Sequence, residues 1–337
     1  MHTAEQDPIQ MARKWRDAGN GVALATVVDT WGSSPRPVGS HLAARADGLF
    51  AGSVSGGCIE GEVALMAKAV IGDGLPRQRS FGVSDRQAWK VGLACGGRVH
   101  VLVQSLDGAR WLDTLDAART ARRAVALVIR LADARLCLWQ DGCCEGPLRL
   151  DDEVADEVAS RVAADRSGPL SGDNGLFLRV YSPLPRLLVV GAVHIAQALI
   201  PMADVAGFDV TLIDPRDGYA SPERFPHVAM RVDPPEKALA ALLPDAGTAV
   251  VTLSHEPELD DQALAAALAS PAFYVGALGS RRTHALRVER LRKTGIDDAS
   301  LTRIHAPVGL ELGGRQPAEI AVAILAQILQ TRYRTPR

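Results

Sequence analysis

The stretch SVSGGCIEGEV, Ser53–Val63, sets a thiol directly behind two glycines and ahead of an apolar, helix-periodic run. Glycine reaches positive φ without steric cost, so Gly56 and Gly57 can turn their N–H groups toward a phosphate or an oxyanion. Cys58 falls at or near the first turn of the following helix, where unpaired N–H groups and the helix dipole favour negative charge. A thiol so placed should ionise readily, and the thiolate is the form that attacks, carries sulfur or binds metal. Cys95, beside Gly96 and Gly97, repeats the arrangement at a strand start. A plainer alternative stands beside this chemistry: cysteine also fills tight contacts as a small buried residue. Arg36, between Pro35 and Pro37, is either a rigidly presented anion ligand or an ordinary surface arginine. Glu60 and Glu62 read as acids of a first helical turn that complement the dipole.

A second group of candidates lies in the last third of the chain. A dinucleotide fingerprint, G-x-G-x-x-G/A, needs its middle glycine so that backbone can approach a pyrophosphate. Here Gly191 and Ala196 fill the first and last places, but Val193 occupies the middle one. Asp214 follows at the distance expected of a ribose-binding acid. His194 can face a ligand from the first helical turn or simply face solvent. In ALGSRR, Gly279 and Ser280 precede a helix led by Arg281 and Arg282, which suits an anion or a plain helix cap. Ser254 and His255 follow the strand VVTL on the same rim.

Composition narrows the function. The 337 residues carry a formal net charge of -2, so no overall field favours nucleic acid or an anionic membrane. The five cysteines, Cys58, Cys95, Cys137, Cys143 and Cys144, form no CxxC pair. They read as free thiols of a cytoplasmic protein, with no structural zinc. Cys143 and Cys144 read as exposed, incidental thiols in a polar turn. No apolar run reaches the roughly 18 residues of a membrane span, and the first twenty residues lack a signal-peptide layout.

These residues need elements to hold them. A helix is expected over Ile9–Ala18, a buried strand over Gly21–Thr30, an irregular proline-broken stretch to Ser40, and two short strands around Asp47–Gly48. The helix after Cys58 should run to about Gly72, and a strand should follow Cys95. A helix at WLDTLDAARTA, a strand at RAVALVIRL, a hairpin around Asp141–Gly142 and a helix over Asp151–Asp165 come next. Arg166–Gly175 has linker or turn composition. The reading is an N-terminal α+β domain over residues 1–180 and a C-terminal domain over 181–337. From Arg186 apolar strands alternate with helices, the pattern of a parallel sheet covered on both faces. The fold class is therefore α/β, ending in a Rossmann-like, doubly wound parallel sheet.

Taken in order, GSSPRPVGS, SVSGGCIEGEV, LACGGRV, VVGAVHIAQAL, IDPR, VGALGSRR and HAPVGLELGGRQPAEIAVAILAQI resemble the XdhC/CoxI family, over roughly Ile9–Gly82 and Arg186–Leu329. Its members are accessory proteins of molybdenum hydroxylases such as xanthine dehydrogenase. The resemblance implies an N-terminal XdhC/CoxI domain and a C-terminal Rossmann domain. It also implies a protein that binds the molybdenum cofactor, supports its sulfuration by a cysteine desulfurase, and delivers it to the apo-hydroxylase. Such a protein is a chaperone more than an enzyme. The cofactor is an anionic pterin with a phosphate, in some cases extended to a dinucleotide. Cys58 and Cys95 match the family's cysteines, and thiol chemistry makes them candidate molybdenum ligands or sulfur carriers. Gly56, Gly57, Arg36, Gly191, His194, Asp214, Ser280, Arg281 and Arg282 are the further candidate cofactor contacts. Val193 departs from the family pattern and counts against NAD(P). Two other functions stay open: an NAD(P)-dependent oxidoreductase, and a sulfurtransferase with Cys58 as persulfide carrier. Whether the chain forms a homo-oligomer is open too.

Overall fold

The computed structural model describes residues 7–32, 36–82, 97–172 and 175–334. Cys95 and Gly96 lie outside the described residues, so the second thiol turn has no structural account. The chain divides between Pro183 and Leu184 into two compact units.

The N-terminal unit holds two five-stranded antiparallel sheets. The first comprises β1 (Val22–Trp31), β2 (His41–Arg45), β3 (Phe50–Gly52), β4 (Arg77–Gly82) and β5 (Arg98–Ser105), in the order β3-β2-β1-β5-β4. The second comprises β6 (Val125–Arg130), β7 (Leu136–Gln140), β8 (Cys143–Glu145), β9 (Gly168–Pro169) and β10 (Leu176–Tyr181), in the order β8-β7-β6-β10-β9. Helices α1 (Pro8–Asp17), α2 (Glu60–Asp73), α3 (Trp111–Thr120) and α4 (Asp152–Ala163) pack on them.

The continuous apolar run of β1 is explained by burial on both sides. Ala23, Ala25 and Val27 pack with Val63, Ala67 and Val70 of α2. Leu24 and Val28 join the other core, which gathers α1, α3 and the second sheet through Trp15, Leu115, Leu127 and Phe177. The outer face of the second sheet is covered by Val154, Val158 and Val162 of α4.

Three strands of this unit, β4, β9 and β10, depart from the sequence reading. β4 is an edge strand with the burial of a surface ribbon, so its polar text carries no strand period. β10 is masked in the sequence by Arg166–Gly175, which is not a plain linker: Gly168 and Pro169 pair with Leu178 and Phe177 of β10.

In the C-terminal unit β11 (Arg186–Val190), β12 (Asp209–Ile213), β13 (Ala229–Arg231), β14 (Thr248–Thr252), β15 (Tyr274–Ala277) and β16 (Ile304–His305) form a parallel sheet. Its order is β13-β12-β11-β14-β15-β16, the doubly wound arrangement with a switch point between β11 and β14. Alternate residues of β11 bury on opposite faces. Leu187 and Val189 meet α5 (His194–Val205) and α10 (Pro317–Arg334). Leu188 and Val190 meet α6 (Pro235–Leu242), α7 (Pro257–Leu268), α8 (Arg281–Lys293) and the short α9 (Asp298–Leu301). Among the described residues no helix is long and apolar enough to cross a membrane.

Candidate functional site

The loop between β3 and α2 is organised by one carboxylate. Glu60 is 5% exposed. Its Oε1 accepts from Ser53 Oγ at 2.6 Å, Ser55 N at 2.9 Å and Val54 N at 3.2 Å. Its Oε2 accepts from Ser55 Oγ at 2.6 Å, Gly57 N at 2.9 Å and Ile59 N at 3.2 Å. Ser55 Oγ in turn accepts from Cys58 N and Ile59 N, and Ser53 Oγ accepts from Gly56 N at 2.8 Å. Burial alone would raise the Glu60 pKa, but these donors outweigh it and bring the carboxyl down to about 2.

The glycines do form an N–H nest, with φ of 83° at Gly56 and 121° at Gly57. Their N–H groups are taken up inside the protein: Gly57 N donates to Glu60 and Gly56 N to Ser53 Oγ. The sequence reading made Gly56 and Gly57 donors to a phosphate and Glu60 a simple dipole acid; the structure joins the two roles inside the protein. Cys58 stands one residue ahead of the helix N-cap, Ile59, and its thiol is exposed. The loop is thus a rigid mount that displays a thiol to solvent.

A cleft of about 290 Å³ adjoins this loop through Ser53 and is lined by Arg36, Arg119, Arg179, His41 and Tyr181. His41 and Tyr181 are buried. Arg179 Nε donates to His41 Nε2 at 3.4 Å, and the Tyr181 hydroxyl lies 2.9 Å from the same nitrogen. A guanidinium only donates, so Nε2 is the acceptor and the ring proton sits on Nδ1, 3.0 Å from Thr26 Oγ1. Burial, and then the positive charge of Arg179, hold the His41 pKa well below its ordinary value. Burial pushes the Tyr181 phenol up to about 12, against the pull of Arg179 and Arg119. The ring of Tyr181 meets both cations, with guanidinium carbons 4.8 Å (Arg179) and 5.8 Å (Arg119) from its centroid.

Of these residues the sequence reading singled out Arg36 alone, which the structure places exposed at the cleft. The others come from β2, α3 and β10, and no spacing in the chain announces that they converge.

At the C-terminal switch point Gly191 has φ of 108°, and a Cβ there would lie 2.6 Å from Ser254 N. The glycine lets the end of β11 pass close to the end of β14. Asp214, expected to face a ribose, is fully buried and fully engaged. Its Oδ1 accepts from Arg216 N at 3.0 Å and Nε at 2.9 Å; its Oδ2 accepts from Ala192 N at 2.7 Å and Arg216 Nη2 at 2.6 Å. Burial opposes ionisation, but Arg216 and the Ala192 amide prevail and hold its pKa below the ordinary value. Arg216 also donates to Glu256 at 2.7 Å and lies 3.9 Å from the Tyr219 centroid. The acid at the ribose position is locked to a neighbouring arginine.

Val193 is the α5 N-cap and packs partly into the core, while His194 is exposed. Ser280 caps α8 by accepting from Thr283 N at 3.1 Å. Arg281, highly exposed, pairs with Glu311, and Arg282 is exposed too. Ser254 is buried and donates to Asp260 at 2.7 Å.

Among the described residues no group of three or more His, Cys, Asp or Glu side chains could hold a metal ion. Cys143 is exposed, as its turn position suggested. Cys144 is not an incidental surface thiol: it is half-buried, with its Sγ 2.9 Å from that of buried Cys137 on the paired strand.

Comparison with known proteins adds to this geometry. Residues 187–328 match the family described as XdhC Rossmann domain, and residues 15–82 match the XdhC and CoxI family. The chain is similar to the molybdenum cofactor insertion chaperone PaoD of Escherichia coli (strain K12), at 29% identity over 94% of this chain and 85% of that protein. It is similar to a protein of Bacillus subtilis (strain 168) named as a probable subunit of xanthine dehydrogenase, at 27% identity over 92% of this chain and 93% of that one. Among solved structures it resembles one described as a xanthine dehydrogenase from Bacillus halodurans, with a TM-score of 0.80 and 26% identity, covering 98% of this chain and 97% of the other.

Proposed function

Since this chain belongs to the XdhC and CoxI family, we propose that it binds the molybdenum cofactor, supports its sulfuration, and inserts it into an apo molybdenum hydroxylase of the xanthine dehydrogenase type. It acts as a carrier and not as an enzyme. The observation that carries this reading is the likeness, over nearly the whole chain, to a protein named as a cofactor insertion chaperone. The partners are the apo-hydroxylase and a cysteine desulfurase that supplies sulfur.

The residues fit such a cargo. An anionic pterin needs cationic walls, and the N-terminal unit offers Arg36, Arg119 and Arg179 around one cleft. A carrier that must release its cargo needs few metal ligands. Cys58 offers a single exposed thiol from a loop stiffened by Glu60. Gly191, His194, Ser280, Arg281 and Arg282 stay candidate cofactor contacts on the C-terminal unit. Weak or no NAD(P) binding goes with this reading: Val193 stands where backbone should meet pyrophosphate, and Asp214 is held by Arg216.

Two measurements test this function. Purified chain is incubated with isolated cofactor, desalted, and assayed for molybdenum and pterin. The loaded chain is then mixed with apo-hydroxylase, and activity is compared with that of a mixture lacking the chain. Equal activation with and without the chain sinks the insertion role. Binding of NADH, followed by its fluorescence, would return the oxidoreductase reading to contention.

A further inference from the structure

We propose that the cleft between Arg36, Arg119 and Arg179 grips the phosphate end of an elongated anionic ligand, a phosphate monoester or a diphosphate. The proposal rests on the carrier reading only for the identity of the rest of that ligand.

Charge is the first support. The three guanidinium groups line one space. The carboxylate that faces them, Asp7, is already engaged, accepting from Ile9 N at 2.9 Å and from Arg119 at 2.7 Å. His41 adds no positive charge, because Arg179 directs a donor at its Nε2. Arg119 is thus paired with Asp7, whereas Arg179 makes no ion pair among the described residues and brings its charge to the wall without a carboxylate partner.

Rigidity is the second. Arg179 Nη1 donates to Ser167 Oγ at 3.1 Å and to Val180 O at 2.6 Å, while its guanidinium carbon lies 4.8 Å from the Tyr181 ring centroid. Gly39, with φ of 85°, makes room for the arginine stem: a Cβ there would lie 2.8 Å from Arg179 Cδ. A guanidinium fixed in advance loses little freedom on binding. Its Nη2 makes no hydrogen bond among the described residues, which leaves one edge for a ligand oxygen.

Size and chemistry decide the class. A volume of about 290 Å³ lies at the small end of the range for ligand pockets, enough for a phosphate ester and its nearest atoms. The hydroxyls on the wall are already engaged: Ser40 donates to Pro37 O, Ser53 donates to Glu60, and that of Tyr181 lies 2.9 Å from His41 Nε2. Recognition therefore falls to guanidinium groups, whose paired donors match phosphate oxygens. Ser53 also begins the Cys58 loop, so cleft and thiol mount are continuous in the chain.

The test is calorimetric titration of the full chain with pyrophosphate at low salt. Wild type is compared with Arg119→Gln, Arg179→Gln and, as a charge-matched control, Arg135→Gln, an exposed arginine paired with Asp133 in a surface turn. The two cleft variants should each bind about tenfold more weakly or worse, and the control should match wild type. Equal affinity in all four proteins overturns the proposal. If Arg179→Gln fails to fold, Arg119→Gln carries the comparison.

A second arm identifies the source of the phosphate. On chain already loaded with cofactor, the pyrophosphate signal should vanish; an unchanged signal overturns the assignment to the cofactor's own phosphate. The two readings fail separately. Cofactor uptake and pyrophosphate binding that are both indifferent to Arg119 and Arg179 sink the cleft and spare the carrier. Pyrophosphate binding through these arginines in a chain that takes up no cofactor supports the cleft and sinks the carrier.

Discussion

Twice in this molecule a glycine turn leads into a helix and closes on a buried carboxylate. In the N-terminal unit Glu60 gathers the amides of Val54, Ser55, Gly57 and Ile59. In the C-terminal unit Asp214 gathers the amides of Ala192 and Arg216. The counter-groups differ. Glu60 is met by two serine hydroxyls and neutral amides, whereas Asp214 is met by the Arg216 guanidinium. What each turn displays differs too: Cys58 is exposed beside the first, and Val193 sinks against the core beside the second. A glycine turn before a helix is thus not an anion site by its pattern alone, because the protein can supply the anion. The side chain left outside distinguishes a mount from a seal.

The comparison can be broken from its strongest point. Asp214→Ala leaves Arg216 without its main counter-charge in a largely buried place. It should destabilise the chain by about 3–5 kcal/mol in urea unfolding. A loss under about 1 kcal/mol would mean that Glu256 suffices as partner. Glu60→Gln keeps the shape but turns one acceptor oxygen into a donor facing hydroxyl and amide donors. A cost of about 3 kcal/mol is expected, the size implied by a carboxyl held near 2.

Acid sharpens the same contrast. The folded Glu60 carboxyl titrates below its unfolded value of 4.5. Its contribution is therefore complete above about pH 5 and drains away as pH falls toward about 2. Glu60→Gln should flatten that part of the stability profile, and a variant profile parallel to wild type would contradict the nest. His41 acts in a higher window. Its folded pKa is depressed by burial and by Arg179. The unfolded chain therefore takes up a proton that the folded one refuses, and stability declines as pH falls below about 6.5. His41→Gln should remove that decline while leaving the lower one in place.

The fold was more legible than the site. The strand–helix alternation after Arg186 follows from sheet burial on both faces, and a period set by packing survives in the text. β4 escaped because an edge strand lacks that period. β10 escaped because the turn residues before it read as a linker. At the site, Cys58 and its glycines stand out in the chain, but the role of Glu60 does not: an acid at a helix start looks the same whether it faces solvent or closes a loop. Asp214 has the spacing of a ribose acid, and only the neighbouring Arg216 changes its meaning. The cleft was illegible because His41, Arg119, Arg179 and Tyr181 meet through the pairing of distant strands and the packing of α3. Local spacing holds no record of such a meeting.

The smallest expected effect on stability belongs to the residue with the largest expected effect on function. Cys58 is exposed and its amide, which donates to Ser55 Oγ, is kept on substitution, so Cys58→Ser should change unfolding stability by less than about 0.5 kcal/mol. The central claim is that the chain carries the molybdenum cofactor and that the exposed thiol helps hold it. Molybdenum and pterin retained per chain after desalting, for wild type, Cys58→Ser and Cys143→Ser, test it most directly. Stoichiometric retention by wild type and Cys143→Ser, with a marked loss in a folded Cys58→Ser, is the predicted result. No retention by wild type, or equal retention by all three, contradicts it.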